Sequence, residues 1–170
     1  MQILVLGVGN VLLSDEGVGV RVVEALMRRY RFPENVEVMD GGTAGMELLD
    51  TIARSDRVIV VDAVRTGRPP ARRVRLAGEE VPAFFRTRIS PHQVGLSDLL
   101  ATLQITGEAP DSVVLLGIEP VSLETGVKLT PAVAEQMENL IDAVLSELEE
   151  AGVRLLPAGH RSPAPVTAVG

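Results

Sequence analysis

Three side chains that can bind a metal ion stand near the predicted ends of structural elements: Glu16, Asp62 and His92. Two carboxylates and one imidazole can hold a divalent first-row metal ion and leave coordination positions open. The three residues lie far apart in the chain and form no local motif. Only the fold could bring them together, so the elements that carry them decide whether they form a site.

Glu16 follows Asp15 in a glycine-rich segment, GVGNVLLSDEGVGV, which spans residues 7–20. This segment joins an apolar strand to an amphipathic helix, for which Ser14 is the expected N-cap. An acidic residue in the first turn of a helix commonly stabilises it by about 0.3–1 kcal/mol. Capping of this kind accounts for Asp15 and leaves Glu16 available for another role.

The same segment has a competing interpretation as a dinucleotide-binding loop. Gly7 and Gly9 match the first two glycines of the G-x-G-x-x-G motif, but Leu12 occupies the third position. The next predicted strand ends in Asp40, which could bind a ribose. Two acidic residues at the helix N-terminus would, however, cancel its attraction for a pyrophosphate. A dinucleotide-dependent oxidoreductase therefore remains an alternative that the loop disfavours.

Local signals also place Asp62 and His92 at element ends. Asp62 ends the apolar strand VIVVDAV; a carboxylate there projects from the carboxyl edge of a parallel sheet, or it caps the following turn. The sequence SPHQ predicts a capping box with Ser90 as N-cap and Gln93 as third helical residue, so His92 falls in the first turn. The positive helix end should favour a neutral imidazole, the form that binds metal. The simpler alternative is a histidine that only occupies a first turn.

Strand-like and helix-like segments alternate along the chain. The strand-like segments are 2–7, 36–40, 57–64, 72–78 and 112–119. The fourth alternates Arg with apolar residues and is expected to be an antiparallel edge strand, whereas the first, third and fifth have the apolar runs of buried parallel strands. The alternation predicts an α/β fold with three layers, α/β/α, around a mostly parallel, twisted five-stranded sheet. In strand order 2-1-3, Glu16 and Asp62 would flank the crevice at the switch point.

The predicted helices begin after Ser14, at Thr43, at Pro91 and at Pro131. The pattern of the last covers residues 131–152: Thr130 precedes it as the N-cap, and its final residue, Gly152, suits the position just after the helix end. We therefore expect one domain over residues 1–152. Residues 153–170 are expected to form a terminal extension, mostly a disordered tail, because PAGHRSPAPVTAVG has three prolines, no acidic residue and no periodicity. His160 lies in this tail without a scaffold and is discounted as a ligand.

The composition of the 170-residue chain excludes several classes of protein. It contains no cysteine, which excludes disulfides, thiolate metal sites and a cysteine nucleophile. Its net charge of −7 disfavours nonspecific binding to nucleic acid or to an anionic membrane. No signal peptide is visible, and the apolar runs are shorter than the roughly 18 residues that span a bilayer. We expect a cytoplasmic protein that binds neither nucleic acid nor membrane.

One basic segment, RTGRPPARR at residues 65–73, stands out in this acidic protein. It is predicted to be a solvated loop. The alternative is a docking patch for an acidic partner.

Four blocks of the sequence resemble the [NiFe]-hydrogenase maturation endopeptidases in their order and spacing: GVGNVLLSDEGVGV, DGGTAG, VVDAV and SPHQVGLSDLL. The resemblance implies an enzyme that removes a short C-terminal extension from the hydrogenase large-subunit precursor after nickel insertion. It further implies that nickel is supplied by this substrate, although another divalent metal could occupy the site in vitro. The implied fold is a twisted sheet between helix layers.

The resemblance also implies roles for individual residues. Glu16, Asp62 and His92 correspond to the metal ligands of the family, and they are the same three residues that the element ends indicate. The implied substrate-recognition loop consists of Asp40, Gly41, Gly42 and Thr43.

The resemblance leaves the chemistry of cleavage open. The family is grouped with the aspartic-type endopeptidases, which makes Asp15, Asp40 and Asp62 candidate catalytic acids or bases, and no nucleophile is assigned. A self-sufficient zinc protease and a non-catalytic metal-binding regulatory module with the same pocket are the alternatives.

Overall fold

The computed structural model describes residues 1–87 and 90–159. The strands are β1 (Ile3–Val8), β2 (Tyr30–Arg31), β3 (Val36–Gly42), β4 (Arg57–Ala63), β5 (Arg73–Ala77), β6 (Ser112–Ile118) and β7 (Leu156–Pro157). The helices are α1 (Val18–Arg29), α2 (Leu49–Ala53), α3 (Glu80–Arg86), α4 (Pro91–Thr106), α5 (Pro131–Ala134) and α6 (Met137–Glu150). Across these two ranges, none of the helices combines the length and the apolar composition that crossing a membrane requires.

Five strands form one sheet in the order β3-β1-β4-β6-β5. The first four are parallel, and β5 runs antiparallel to β6 at the edge. The prediction of a mostly parallel five-stranded sheet with one antiparallel edge strand is therefore confirmed. The predicted order 2-1-3 of the first three strand-like segments is also confirmed, because these segments correspond to β3, β1 and β4 and β1 lies in the middle. As a result, the segments that follow β1 and β4 are neighbours at the carboxyl edge of the sheet.

Helices cover both faces of this sheet and complete the three predicted layers. On one face, an apolar cluster joins α1 and α6 to the strands; on the other, a second cluster joins α2, α3 and α4 to them. Alternate residues of β1 enter opposite clusters: Val5 packs in the first, and Leu4 and Leu6 pack in the second. This alternation follows from the two-residue period of side chains along a strand.

Helix α1 lies unusually close to the sheet. An added Cβ at Gly19 would stand 2.0 Å from the carbonyl oxygen of Val61 in β4, and one at Gly7 would stand 2.3 Å from the carbonyl oxygen of Gly19. The missing side chains thus let the helix backbone contact the strand backbone. This contact holds the turn before α1, which carries Glu16, against the end of β4.

Three predicted helix starts differ in detail from the structure. Ser14 does not cap α1: it has a φ of 52° and begins a 3-10 turn, Ser14–Gly17, while its hydroxyl donates to the carbonyl of Glu124. The helix expected at Thr43 begins only with the 3-10 turn Met46–Leu48, because β3 continues through Gly42. Thr130 does occupy the N-cap position of α5, but its hydroxyl donates to Asp15 rather than to the helix.

The long helix predicted over residues 131–152 is divided into α5 and α6. The N–H of Gln136 donates to the carbonyl of Val133, three residues back, and this tighter turn interrupts the α-helical pattern. Gly152 follows the end of α6 with a φ of 81°, as predicted for a residue just after a helix.

The predicted terminal extension begins within the folded structure. Val153 is buried in the first apolar cluster, and β7 pairs antiparallel with β2, with Leu156 opposite Arg31. The predicted disordered tail starts at Pro157, which the structure instead places in β7, and its residues 160–170, including His160, lie outside the described residues.

Candidate functional site

Glu16, Asp62 and His92 meet at the carboxyl edge of the sheet. His92 Nδ1 lies 3.2 Å from Glu16 Oε1, and His92 Nε2 lies 3.1 Å from Asp62 Oδ2. Three elements supply them: the 3-10 turn after β1, the end of β4, and the first turn of α4. The structure therefore brings together the three side chains that the sequence singles out, and their role as metal ligands stays a prediction.

The cluster is buried to different depths. Asp62 is fully buried and His92 is 2% exposed, whereas the side chain of Glu16 keeps 13% of its surface exposed. Glu16 is therefore the member of the cluster most accessible from outside.

The three side chains do not form a preformed cation cage. The imidazole of His92 lies between the carboxylates and turns one nitrogen to each. Among residues 1–87 and 90–159, no group of three or more His, Cys, Asp or Glu side chains has metal-binding geometry. The donor set suits a first-row metal ion, but His92 can share an ion with both acids only if it leaves one of its present carboxylate contacts.

Two neighbours of His92 also contact the cluster. Ser90 and Pro91 occupy the N-cap and first helical positions, as predicted, but the predicted capping box is wrong. Ser90 Oγ lies 2.7 Å from His92 Nδ1, and Gln93 Nε2 donates to Asp62 Oδ2 at 3.0 Å. Because these side chains bind the cluster instead of the helix end, Ser90 and Gln93 are site residues that the sequence analysis missed.

The electrostatic environment couples His92 to Asp62. Burial raises the pKa of Asp62, although hydrogen bonds from His92 and Gln93 oppose this shift. Burial lowers the pKa of His92, but the hydrogen bond and charge of Asp62 and the charge of Glu16 raise it above its usual value overall. The two carboxylates therefore shift the pKa of His92 in the direction opposite to the one expected from the positive helix end.

A cavity of about 580 Å³ opens beside the cluster. Most of its lining is apolar, and the carboxylate of Glu16 and the imidazole of His92 are among the polar groups that line it. Its lining includes Glu16, His92, Thr43, Arg65, Leu13 and Leu123. A peptide segment entering this cavity would thus reach the exposed part of Glu16 and the edge of His92.

Asp15 is fully buried, and its contacts differ from those of the neighbouring Glu16. Its carboxylate accepts hydrogen bonds from four donors of one remote loop, residues 119–130. The donors are the N–H groups of Val121, Ser122 and Thr130 and the hydroxyl of Thr130. The predicted first-turn capping role therefore does not apply: Asp15 fastens the loop.

The fastened loop forms part of the cavity wall. Pro120 and Leu123 line the cavity, and the backbone N–H of Ser14 donates to the carbonyl of Gly126 at 2.9 Å. The turn that supplies Glu16 is thus attached to the loop that forms this part of the cavity wall.

The loop from Asp40 to Thr43 has two parts. Asp40 is exposed, and its Oδ1 accepts the N–H of Gly42 at 2.8 Å. The carbonyl of Gly42 accepts the N–H of Gly9 at 2.7 Å, which ties this loop to the glycine-rich turn. Thr43 lines the cavity. Of the predicted recognition residues, Thr43 borders the cavity and Asp40 accepts a hydrogen bond within the turn, and their role in substrate recognition stays a prediction.

Comparison with known proteins gives consistent results. Residues 20–147 match a family model described as hydrogenase maturation protease. The chain is 51% identical over 158 residues to the hydrogenase 2 maturation protease of Escherichia coli (strain K12), covering 92% of this chain and 96% of that protein. It is 42% identical over 154 residues to the hydrogenase expression/formation protein HupD of Bradyrhizobium diazoefficiens, with 89% and 80% covered. Its fold matches the hydrogenase maturating endopeptidase HybD from E. coli with a TM-score of 0.90 at 51% identity, covering 93% of this chain and 98% of that one.

Proposed function

The chain belongs to the hydrogenase maturation protease family, and we propose that it removes a C-terminal extension from the precursor of a [NiFe]-hydrogenase large subunit. We further propose that it recognises nickel carried by this substrate through Glu16, Asp62 and His92. One observation supports this most strongly: His92 contacts both Glu16 and Asp62 at one sheet edge, beside a cavity that Glu16 and His92 help to line.

The chemistry of the donor set supports nickel as the recognised ion. Carboxylate oxygens and an imidazole nitrogen together suit divalent first-row ions, whereas the absence of cysteine removes the softer thiolate ligands. Two buried or half-buried carboxylates also favour a cation, because the one imidazole between them can balance only one negative charge and an uncompensated buried charge is costly. A precursor that lacks nickel would lack the cation that this anionic site attracts. Cleavage would then follow metal insertion.

The residues around the triad have separate tasks in this proposal. Glu16 is the ligand that faces the cavity, and Gln93 holds the carboxylate of Asp62 in place. His92 exchanges one carboxylate contact for the ion. A bound divalent ion would polarise the scissile carbonyl or lower the pKa of an attacking water. Of the three candidate catalytic acids, Asp62 is the one that contacts His92.

The proposed activity replaces the oxidoreductase alternative. In the structure, the acidic pair of the glycine-rich turn has partners within the protein: Glu16 faces His92, and Asp15 binds the loop of residues 119–130. These contacts occupy the region where a pyrophosphate would have to meet the helix N-terminus.

Mass spectrometry of the precursor tests the proposal. The protein is incubated with nickel-loaded large-subunit precursor and, in parallel, with the same precursor produced without nickel. We expect a shortened large subunit and a released C-terminal fragment from the loaded precursor alone. Cleavage of both forms would contradict nickel recognition but keep the peptidase. Binding of the loaded precursor without any change in its mass would instead identify a non-catalytic module.

A further inference from the structure

The basic segment at residues 65–73 forms an exposed surface beside the cavity. Four of its residues, Arg65, Arg68, Arg72 and Arg73, are exposed, and we call them the basic patch. Arg65 also lines the cavity, so the patch is continuous with the site. Residue Arg73 lies opposite Ile118 at the end of β6, which places the patch at the same carboxyl edge as the triad.

A buried acid holds this segment in place. Glu119 is 7% exposed, and its Oε2 accepts the N–H and the hydroxyl of Thr66 at 2.8 and 2.9 Å. The backbone of Glu119 also exchanges hydrogen bonds with the segment, from Ala71 N–H and to Arg72 carbonyl, both at 2.8 Å. Ala71 has a φ of 62°, a conformation that few residues other than glycine adopt. The patch is therefore presented by a structured loop.

The guanidinium groups of the patch have no acidic partner among the described residues. Arg68 donates to the hydroxyl of Thr66 at 3.2 Å, and no ion pair joins any of the four to an Asp or Glu in residues 1–87 and 90–159. Four arginines elsewhere do pair with acids, whereas the separately placed Arg28, Arg31 and Arg54 also form no ion pair with a described residue. The paired ones are Arg21 with Glu24, Arg29 with Glu138, and Arg57 and Arg75 with Glu147.

The grouping of four unpaired arginines in one segment matters because the protein has a surplus of acids. Its net charge is −7, and the four patch arginines contribute +4, so the rest of the chain carries −7 − 4 = −11. Carboxylates are therefore plentiful, yet the structure leaves four cations together and unneutralised at the mouth of its site. Such a concentration of one sign of charge attracts an oppositely charged partner and orients it.

We propose that the basic patch binds an acidic segment of the hydrogenase precursor, and thereby positions the precursor so that its cleaved extension enters the cavity. The identity of this partner rests on the proposed function. Guanidinium groups bind carboxylates through paired, charge-assisted hydrogen bonds, which suits four adjacent arginines to a run of Asp or Glu. The strongly negative remainder of the protein disfavours a nucleic acid as the occupant.

A charge-reversal variant with a matched control tests the proposal. The test variant reverses Arg68, Arg72 and Arg73 to Glu and leaves the cavity-lining Arg65 unchanged. The control makes the same charge change at the opposite, amino edge of the sheet, with Arg28, Arg31 and Arg54 each replaced by Glu. These three are also exposed. If circular dichroism shows that the Arg→Glu variant does not fold, a variant with Gln at the same three patch positions replaces it in the test.

We expect the patch variant to lose about tenfold or more in kcat/KM through a higher KM, while the control stays within about twofold of wild type. The loss should shrink as NaCl rises from about 0.05 M to about 0.5 M, because salt screens exposed charges. Polyglutamate should inhibit the wild-type enzyme more strongly than the patch variant. Equal KM values for patch variant and control would overturn the proposal, as would inhibition by a DNA duplex with none by polyglutamate.

Binding of the uncleaved precursor, measured by calorimetry, separates this proposal from the proposed function. If the wild-type protein binds the nickel-loaded precursor but does not cleave it, the peptidase assignment fails. The dissociation constants of the patch variant and the control for this precursor then decide whether the basic patch is a docking surface. A weaker affinity of the patch variant alone supports it, and equal affinities refute it.

Discussion

Replacement of His92 by alanine is expected to abolish processing of the nickel-loaded precursor, with a loss of at least about 10³-fold in rate. His92 is the residue that contacts both acids of the triad, and its imidazole is the site's nitrogen donor. The fold should persist, because α4 is held to the core mainly by the buried Leu96, Leu99 and Leu103. Cleavage is measured by mass spectrometry and the fold by thermal unfolding.

The variant Ser90→Ala is a suitable control for this result. It removes the hydroxyl 2.7 Å from His92 Nδ1 but keeps the ring and both acids. We expect it to lose far less activity than the alanine variant of His92. If His92→Ala cleaves the loaded precursor at the wild-type rate, His92 has no part in the mechanism.

Replacement of Asp15 by alanine is expected to destabilise the protein by about 3–5 kcal/mol. The side chain is fully buried and accepts bonds from three backbone N–H groups and one hydroxyl of the loop at residues 119–130. Removing it deprives these partly buried bonds of their acceptor, leaves a cavity at the buried Asp15 position and releases the loop. Urea unfolding of both proteins gives the difference in the free energy of unfolding.

Two further variants sharpen this prediction. Asp15→Asn keeps the shape but replaces one acceptor oxygen with a donor, so it should also destabilise, by about 2–3 kcal/mol. Glu124→Ala changes an exposed acid of the same loop and should stay within about 0.5 kcal/mol of wild type. If Asp15→Asn retained full stability but lost cleavage, Asp15 would act in catalysis rather than as the fastening of the cavity wall.

The sequence predicts the frame of the site because strong local signals specify it. Apolar, β-branched runs identify β1, β4 and β6, and a parallel sheet puts the residues at their ends on one edge. The sequence SPHQ correctly predicts that α4 begins at Pro91. Glu16, Asp62 and His92 could therefore be selected before their contacts were known.

The partners of polar side chains could not be predicted, because they depend on packing between remote segments. Asp15 and Thr130 each have a plausible local role at a helix start, yet they bind one another across the chain. Ser90 and Gln93 fit a capping box equally well, but a buried carboxylate and an imidazole within reach are better partners than a solvated helix end.

Helix α3 was missed although the sequence carries its signal. Val81, Phe84 and Phe85 have helical spacing and are buried, and Pro82 suits a first turn. The short pair β2–β7 had no such signal, because two-residue strands are specified only by the contact between distant segments.

The central claim is that Glu16, Asp62 and His92 bind one metal ion together. Anomalous X-ray diffraction at the nickel edge, from crystals of the protein soaked in Ni²⁺, tests it most directly. The account predicts one ion within about 2.0–2.2 Å of a carboxylate oxygen from each acid and a nitrogen of His92. Nickel bound elsewhere, with His92 still lying between the two carboxylates, would contradict it.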